Sequence, residues 1–122
     1  MQVLIVDDSR VMRQIVARTL RQAGFDDLDV IEAENGRIAL EMVGTHRPDL
    51  VLSDWNMPEM TGIDMLANLR ASGSQVPFGF VTSEGAPEMV GRAEAAGALF
   101  VITKPFTPEG FQEKLGPLLA GV

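Results

Sequence analysis

The sequence has no cysteine and a single histidine. The first absence excludes disulfides, thiol catalysis and cysteine-based metal sites. The second leaves histidine catalysis or a zinc cluster without a basis, and His46, in the polar stretch GTHRPD, reads as a surface loop residue. No apolar run approaches the ~20 residues of a membrane-spanning helix. The N-terminal MQVLIVDD meets acids where a secretory signal would continue its apolar core. No membrane insertion and a cytoplasmic location are therefore expected. Bases are also scarce, 10 against 17 acids, for a net charge of -7. That balance disfavours direct nucleic-acid binding, and no helix-turn-helix segment is evident. Repeats, linkers and low-complexity tracts are missing too. What remains is 122 residues, 46% of them hydrophobic, which suits one domain over residues 1–122 built on a single core.

Along the chain, short apolar runs alternate with helical patterns. Gln2 to Val6 predicts a first strand, ending on Asp7 and Asp8; Ser9 then caps a helix. Val11, Met12, Ile15, Val16, Leu20 and Ala23 form the inner face of that helix, Gly24 stops it, and Arg10, Arg13, Arg18 and Arg21 are expected to point outward. Leu28 to Ala33 predicts a second strand. Asn35 caps a helix carrying Ile38, Ala39, Met42 and Val43, which Gly44 is expected to end. The third strand, Leu50 to Ser53, stops on Asp54, and after the loop Trp55 to Glu59 a helix begins at Thr61, with Asp64 placed for a capping box. Met65, Leu66 and Leu69 face inward there, and Gly73 closes the helix.

Phe78 to Val81 predicts a fourth strand, ending on Thr82. The following segment, SEGAPEMVGRAEAAG, holds a helix by its place in the alternation, but Gly85, Pro87 and Gly91 make it short or loose. Each helix-interior glycine costs roughly 1 kcal/mol relative to alanine. Leu99 to Ile102 predicts the fifth strand, and Thr107-Pro108 starts a last helix with Phe111, Leu115, Leu118 and Leu119 inside and a kink or stop at Pro117. Apolar strands joined by helix-length crossovers imply a doubly wound α/β domain, a five-stranded parallel sheet with helices on both faces; the order expected of it is the flavodoxin-like 2-1-3-4-5.

In such a sheet the C-terminal strand ends share one edge, where ligands bind. Asp7 and Asp8 follow strand one, Asp54 follows strand three, Thr82 strand four and Lys104 strand five. Three carboxylates in one pocket repel one another and must take up protons or a cation. Hard oxygen donors without histidine or cysteine favour Mg2+, which binds through one or two carboxylates and tolerates a substrate phosphate. Lys104 adds positive charge for a phosphoryl group, and the Thr82 hydroxyl can donate to one of its oxygens. Asp54 then suits the role of nucleophile, forming an aspartyl phosphate.

Asp7-Asp8, the segment Ser53-Asp54-Trp55-Asn56-Met57-Pro58, Thr82 and Lys104-Pro105-Phe106 together resemble the receiver domain of bacterial two-component response regulators, in the single-domain chemotaxis-type layout. The resemblance spans essentially the whole chain. It implies a phosphorylation-dependent signalling switch, a regulator that catalyses only its own phosphorylation and dephosphorylation. Asp54 would accept the phosphoryl group from a phosphohistidine on a sensor histidine kinase or a histidine phosphotransfer protein. Asp8, Asp54 and the backbone carbonyl of Asn56 would hold Mg2+, with Asp7 acting directly or through water. Thr82 and Lys104 would contact the phosphoryl group, the Lys104-Pro105 bond is often cis in the family, and an altered surface would change binding to a downstream protein target.

The sequence departs from the family where an aromatic often stands three positions before the lysine. That position is Val101, and strand alternation puts Phe100 on the opposite face. The expectation is that the segment after Thr82 carries the conformational signal instead. Asn56 and Glu84, each two residues past a site residue, are placed to orient a hydrolytic water, and the arginine-bearing first helix to dock the kinase. A flavodoxin-like FMN binder, an aspartyl-nucleophile phosphatase and a degenerate receiver used only for binding are the competing readings. The FMN reading would want a hydroxyl- and glycine-rich loop where the chain has Asp7-Asp8-Ser9, and the phosphatase a cap domain for which the length leaves no room.

Overall fold

The computed structural model describes residues 1–83 and 85–120, the last two of these by backbone alone. Five strands and five helices alternate: β1 (Gln2–Val6), α1 (Arg10–Gln22), β2 (Asp29–Ala33), α2 (Gly36–His46), β3 (Leu50–Ser53), α3 (Gly62–Ala71), β4 (Phe78–Thr82), α4 (Pro87–Ala95), β5 (Phe100–Thr103) and α5 (Pro108–Ala120). The strands form one parallel sheet, as the alternation implies, in the expected order β2-β1-β3-β4-β5.

Strand alternation divides the core into two layers. Leu4, Val6, Val51, Phe78 and Phe80 face one side, where Ala39 and Val43 of α2, Met65, Leu66 and Leu69 of α3, and Ala93 of α4 cover them. Val3, Ile5, Leu50, Leu52, Val81, Phe100 and Ile102 face the other, under Val16 and Leu20 of α1 and Phe111 and Leu115 of α5. Val101 packs with the first layer and Phe100 with the second, on opposite faces of β5 as expected. The Phe100 ring uses the space left by Gly79 across the ladder, since a Cβ on residue 79 would strike it.

Helix starts follow the capping signals. Ser9 Oγ accepts from the Met12 amide, Asn35 Oδ1 from Ile38 and Thr61 Oγ1 from Asp64. Such caps contribute about 1 kcal/mol each. By contrast, α4 has nine residues, Pro87 in its first turn and no side-chain cap. It is short, as its glycines and proline imply.

Several details differ from the sequence reading, among them Leu118, expected on the inner side of α5 but 36% exposed. Val11 does not join the inner face of α1 but is 64% exposed. Arg13 does not point outward: its side chain is only 13% exposed and folds back against β2. Gly44 does not end α2, which continues to His46, with Arg47 capping it in the left-handed region at φ 49°. The stop comes from Pro48, which disfavours right-handed helical geometry at the residue before it. His46 accordingly sits in the last helical turn, exposed. Finally, Pro117 lies inside α5 without ending it. Gly116 before it has no Cβ to meet the proline ring, and Glu113 and Pro117 both lie on the exposed side, where water can serve the freed carbonyl. Glu84 and the side chain of Leu119, both given roles from the sequence, lie outside the described residues.

Candidate functional site

The C-terminal edge of the sheet gathers the polar residues that the sequence scatters. Val6 and Ser53 are register partners in β1 and β3, so Asp7 and Asp54 leave adjacent strands at the same level. Each backbone is still anchored there: the Asp54 amide donates to the Val6 carbonyl at 2.9 Å and the Asp7 amide to the Ala33 carbonyl at 3.2 Å. Carboxylate oxygens of Asp7, Asp8 and Asp54 all lie within 4.8 Å of one another, on a buried, an exposed and a half-buried residue respectively.

Lys104 reaches this cluster from the end of β5. Its Nζ stands 3.3 Å from Asp7 Oδ2 and 3.3 Å from Asp54 Oδ2, bridging the two. Burial pushes the Asp7 carboxyl above the usual carboxylate range, opposed by the Ser9 amide donating to Oδ1 at 2.9 Å and by the positive charge of Lys104. Asp54 Oδ1 accepts from the Trp55 amide at 2.7 Å. Thr82, fully buried, closes β4 beside the site, and its backbone carbonyl accepts from the Lys104 amide at 2.8 Å. The Lys104-Pro105 bond is cis. Asn56 lies exposed in the loop after Asp54. Asp7, Asp8, Asp54, Thr82 and Lys104 are therefore at one end of the sheet.

The loop after Asp54 is shaped by close contacts. A Cβ on Gly62 would collide with the Asp54 carbonyl and lie 2.8 Å from the Phe80 ring, so only glycine lets α3 begin this close to the site. The Gly62 amide donates to the Trp55 carbonyl at 2.8 Å. The Met60 amide closes onto the Pro58 carbonyl across Glu59, which has φ 69°. This three-residue turn is a γ-turn, uncommon because its central residue sits in a strained region.

Two contributors are not evident from the sequence reading. Trp55 is 4% exposed, its ring 4.8 Å from that of Phe80, with the Arg92 guanidinium of α4 5.5 Å from its centroid. Arg13 donates to the Asp7 carbonyl at 2.6 Å and to Glu32 Oε1 at 2.9 Å. The one available signal for Arg13 is Glu32, an acid inside a short strand that wants a partner.

The description Response regulator receiver domain belongs to the family whose profile matches residues 3–116. The chain belongs to that family. It is 42% identical to the chemotaxis protein CheY1 of Helicobacter pylori over 98% of its own length and 97% of that protein. It is 43% identical to the chemotaxis protein CheY-3 of Vibrio cholerae, covering 94% of this chain and 88% of that one. Among solved structures, the chemotaxis response regulator CheY4 of Vibrio cholerae superposes with a TM-score of 0.83 at 37% identity, over 96% of this chain and 97% of that one. The receiver domain of a NarL response regulator from Mycobacterium tuberculosis gives 0.85 at 28% identity, over 99% and 97%. This receiver is thus a phosphorylation-dependent switch of two-component signalling and not a metabolic enzyme. Among the described residues, no helix is long and apolar enough to cross a membrane.

Proposed function

We propose that this receiver takes a phosphoryl group from a phosphohistidine donor onto Asp54, in a Mg2+-dependent reaction, and that the product alters its binding to a protein target in the cytoplasm. The observation that carries the proposal is the cluster of Asp7, Asp8 and Asp54 closed by Lys104 at the sheet edge. Hard carboxylate donors at this mutual spacing suit Mg2+. Asp8, Asp54 and the Asn56 backbone carbonyl would hold the ion, with Asp7 engaged directly or through water. Once bound, the ion offsets the negative charge of the incoming phosphoryl group.

An Asp54 carboxylate oxygen attacks phosphorus as the phosphorus–nitrogen bond to the donor imidazole breaks. The released imidazole nitrogen keeps the bonding pair and takes a proton from solvent. Lys104 then pairs with a phosphoryl oxygen, and Thr82 donates its hydroxyl to another. Catalysis here is chiefly positioning and charge compensation.

Beside the site, Met12 and Ile15 of α1 line an apolar recess with Pro105 and Phe106, and exposed Val11 stands on the same helix. A sensor histidine kinase or a histidine phosphotransfer protein would dock there. The test is incubation with a small-molecule phosphodonor and Mg2+, read by intact mass. The expected result is one phosphoryl adduct on the wild-type chain and none on Asp54→Asn; an adduct that persists in the variant overturns the assignment.

A further inference from the structure

The four arginines of α1 and its N-terminal approach are not equivalent. Arg10, Arg18 and Arg21 are exposed, whereas Arg13 is committed at both ends of its guanidinium. Its Nη1 donates to the Asp7 carbonyl at 2.6 Å, and its Nε pairs with Glu32 Oε1 of β2 at 2.9 Å. Helical side chains lean toward the N-terminus of their helix. Arg13, whose amide donates to the Ser9 carbonyl in the first turn, therefore reaches back over the Asp7-Asp8 loop.

We infer that Arg13 is a positioning residue for the carboxylates of the metal site, acting through the Asp7-Asp8 peptide. The peptide unit is planar, so holding the Asp7 carbonyl also sets the orientation of the Asp8 nitrogen and Cα. Asp8 is exposed, so burial of its own side chain does not hold it. Asp7 is fixed independently by the hydrogen bond its amide donates to the Ala33 carbonyl and by the Ser9 amide donating to its carboxylate. Arg13 thus acts where the chain turns away from those anchors. Glu32, register partner of Ile5, balances the guanidinium charge, which would otherwise compete with a bound cation. A fork of fixed donors suits this two-ended hold better than a lysine ammonium does. The inference rests on the reading that these carboxylates bind Mg2+.

That dependence gives the test a sign. If Arg13 acts merely as a cation beside the cluster, Arg13→Gln should tighten Mg2+ binding and Arg13→Lys should leave it unchanged. If Arg13 positions the loop, both variants weaken binding, with a Kd raised on the order of tenfold, the low end for residues that support metal ligands from outside. Calorimetric titration of the full chain with MgCl2, with Trp55 fluorescence followed in parallel, measures this. Circular dichroism and the unfolding midpoint in EDTA separate loss of fold from loss of binding. On the wild-type protein, the Arg13 Nε proton should exchange slowly with and without Mg2+ in an NMR experiment. Fast exchange in the Mg2+-saturated protein overturns the inference without any variant. Wild-type affinity in Arg13→Lys, or tighter binding in Arg13→Gln, overturns the role of Arg13 alone. A wild-type chain with no saturable Mg2+ signal overturns the metal reading itself.

Discussion

Asp7 is the residue at which the fold and the site conflict most directly. Its carboxylate is buried, which favours the protonated form, and only the Ser9 amide and Lys104 compensate the charge. Because the folded-state value is raised, Asp7 contributes stability at low pH that is lost as pH rises through that value. At neutral pH without a cation, the charged group is a net cost. Asp7→Asn keeps an oxygen for the Ser9 amide and leaves Lys104 its contact with Asp54. We therefore expect this variant to unfold later than wild type in EDTA, because the folded state no longer holds a desolvated charge. Saturating Mg2+ should narrow or reverse the gap, since the wild type is expected to gain more binding free energy than the variant. Thermal melts with and without Mg2+ check both parts, and a less stable Asp7→Asn in EDTA would refute the account.

Among the elements, α4 is the one held least firmly. It lacks a side-chain cap and buries Ala93, while Arg92 ties it to Trp55, next in sequence to Asp54. The Trp55 ring rests on Phe80, the register partner of Val101. With valine at 101, this chain has a tryptophan and an arginine linking α4 to the site. An exposed cation–π contact contributes about 0.5–1 kcal/mol. Arg92→Ala should accordingly speed amide exchange across Pro87–Ala95 several-fold and leave β4 unchanged. Wild-type protein with an acyl-phosphate mimic should change its protection between Ser83 and Gly97; unchanged exchange there removes α4 from the signal. The same element scale shows what sequence could reveal. Strands to within a residue, caps and the two faces of the sheet were legible because hydrophobic period and capping chemistry are local. The reach of Arg13 toward Glu32 was not, because it depends on how α1 sits over β2. Val11 fitted the helical period but fell on a rim next to the site, and Gly44 looked like a stop until Pro48 supplied a stronger one.

At the scale of the whole molecule, the acidic surface leaves the α1 side as its basic region, with Arg10 and Arg18 exposed and Val11, Met12 and Ile15 between them along the chain. Charge reversal at Arg10 and Arg18 is expected to slow phosphotransfer from the histidine donor several-fold and to leave reaction with a small phosphodonor at its wild-type rate. Arg13 is unsuitable for that test because reversing it would disturb Asp7. Equal effects on both donors would argue against α1 as the docking face.

The bridge from Lys104 also has a consequence in time. It closes onto Asp54 across 50 residues and onto Asp7 across 97. A chain made from its N-terminus at ~5–20 residues per second exposes all three acids well before their cation. Parallel pairing of distant strands is intrinsically slow to form, so β5 delivers Lys104 only as the sheet is completed. Under the proposed function, unfinished or misfolded copies hold Asp54 without the lysine beside it and are expected to be poor phosphoryl recipients.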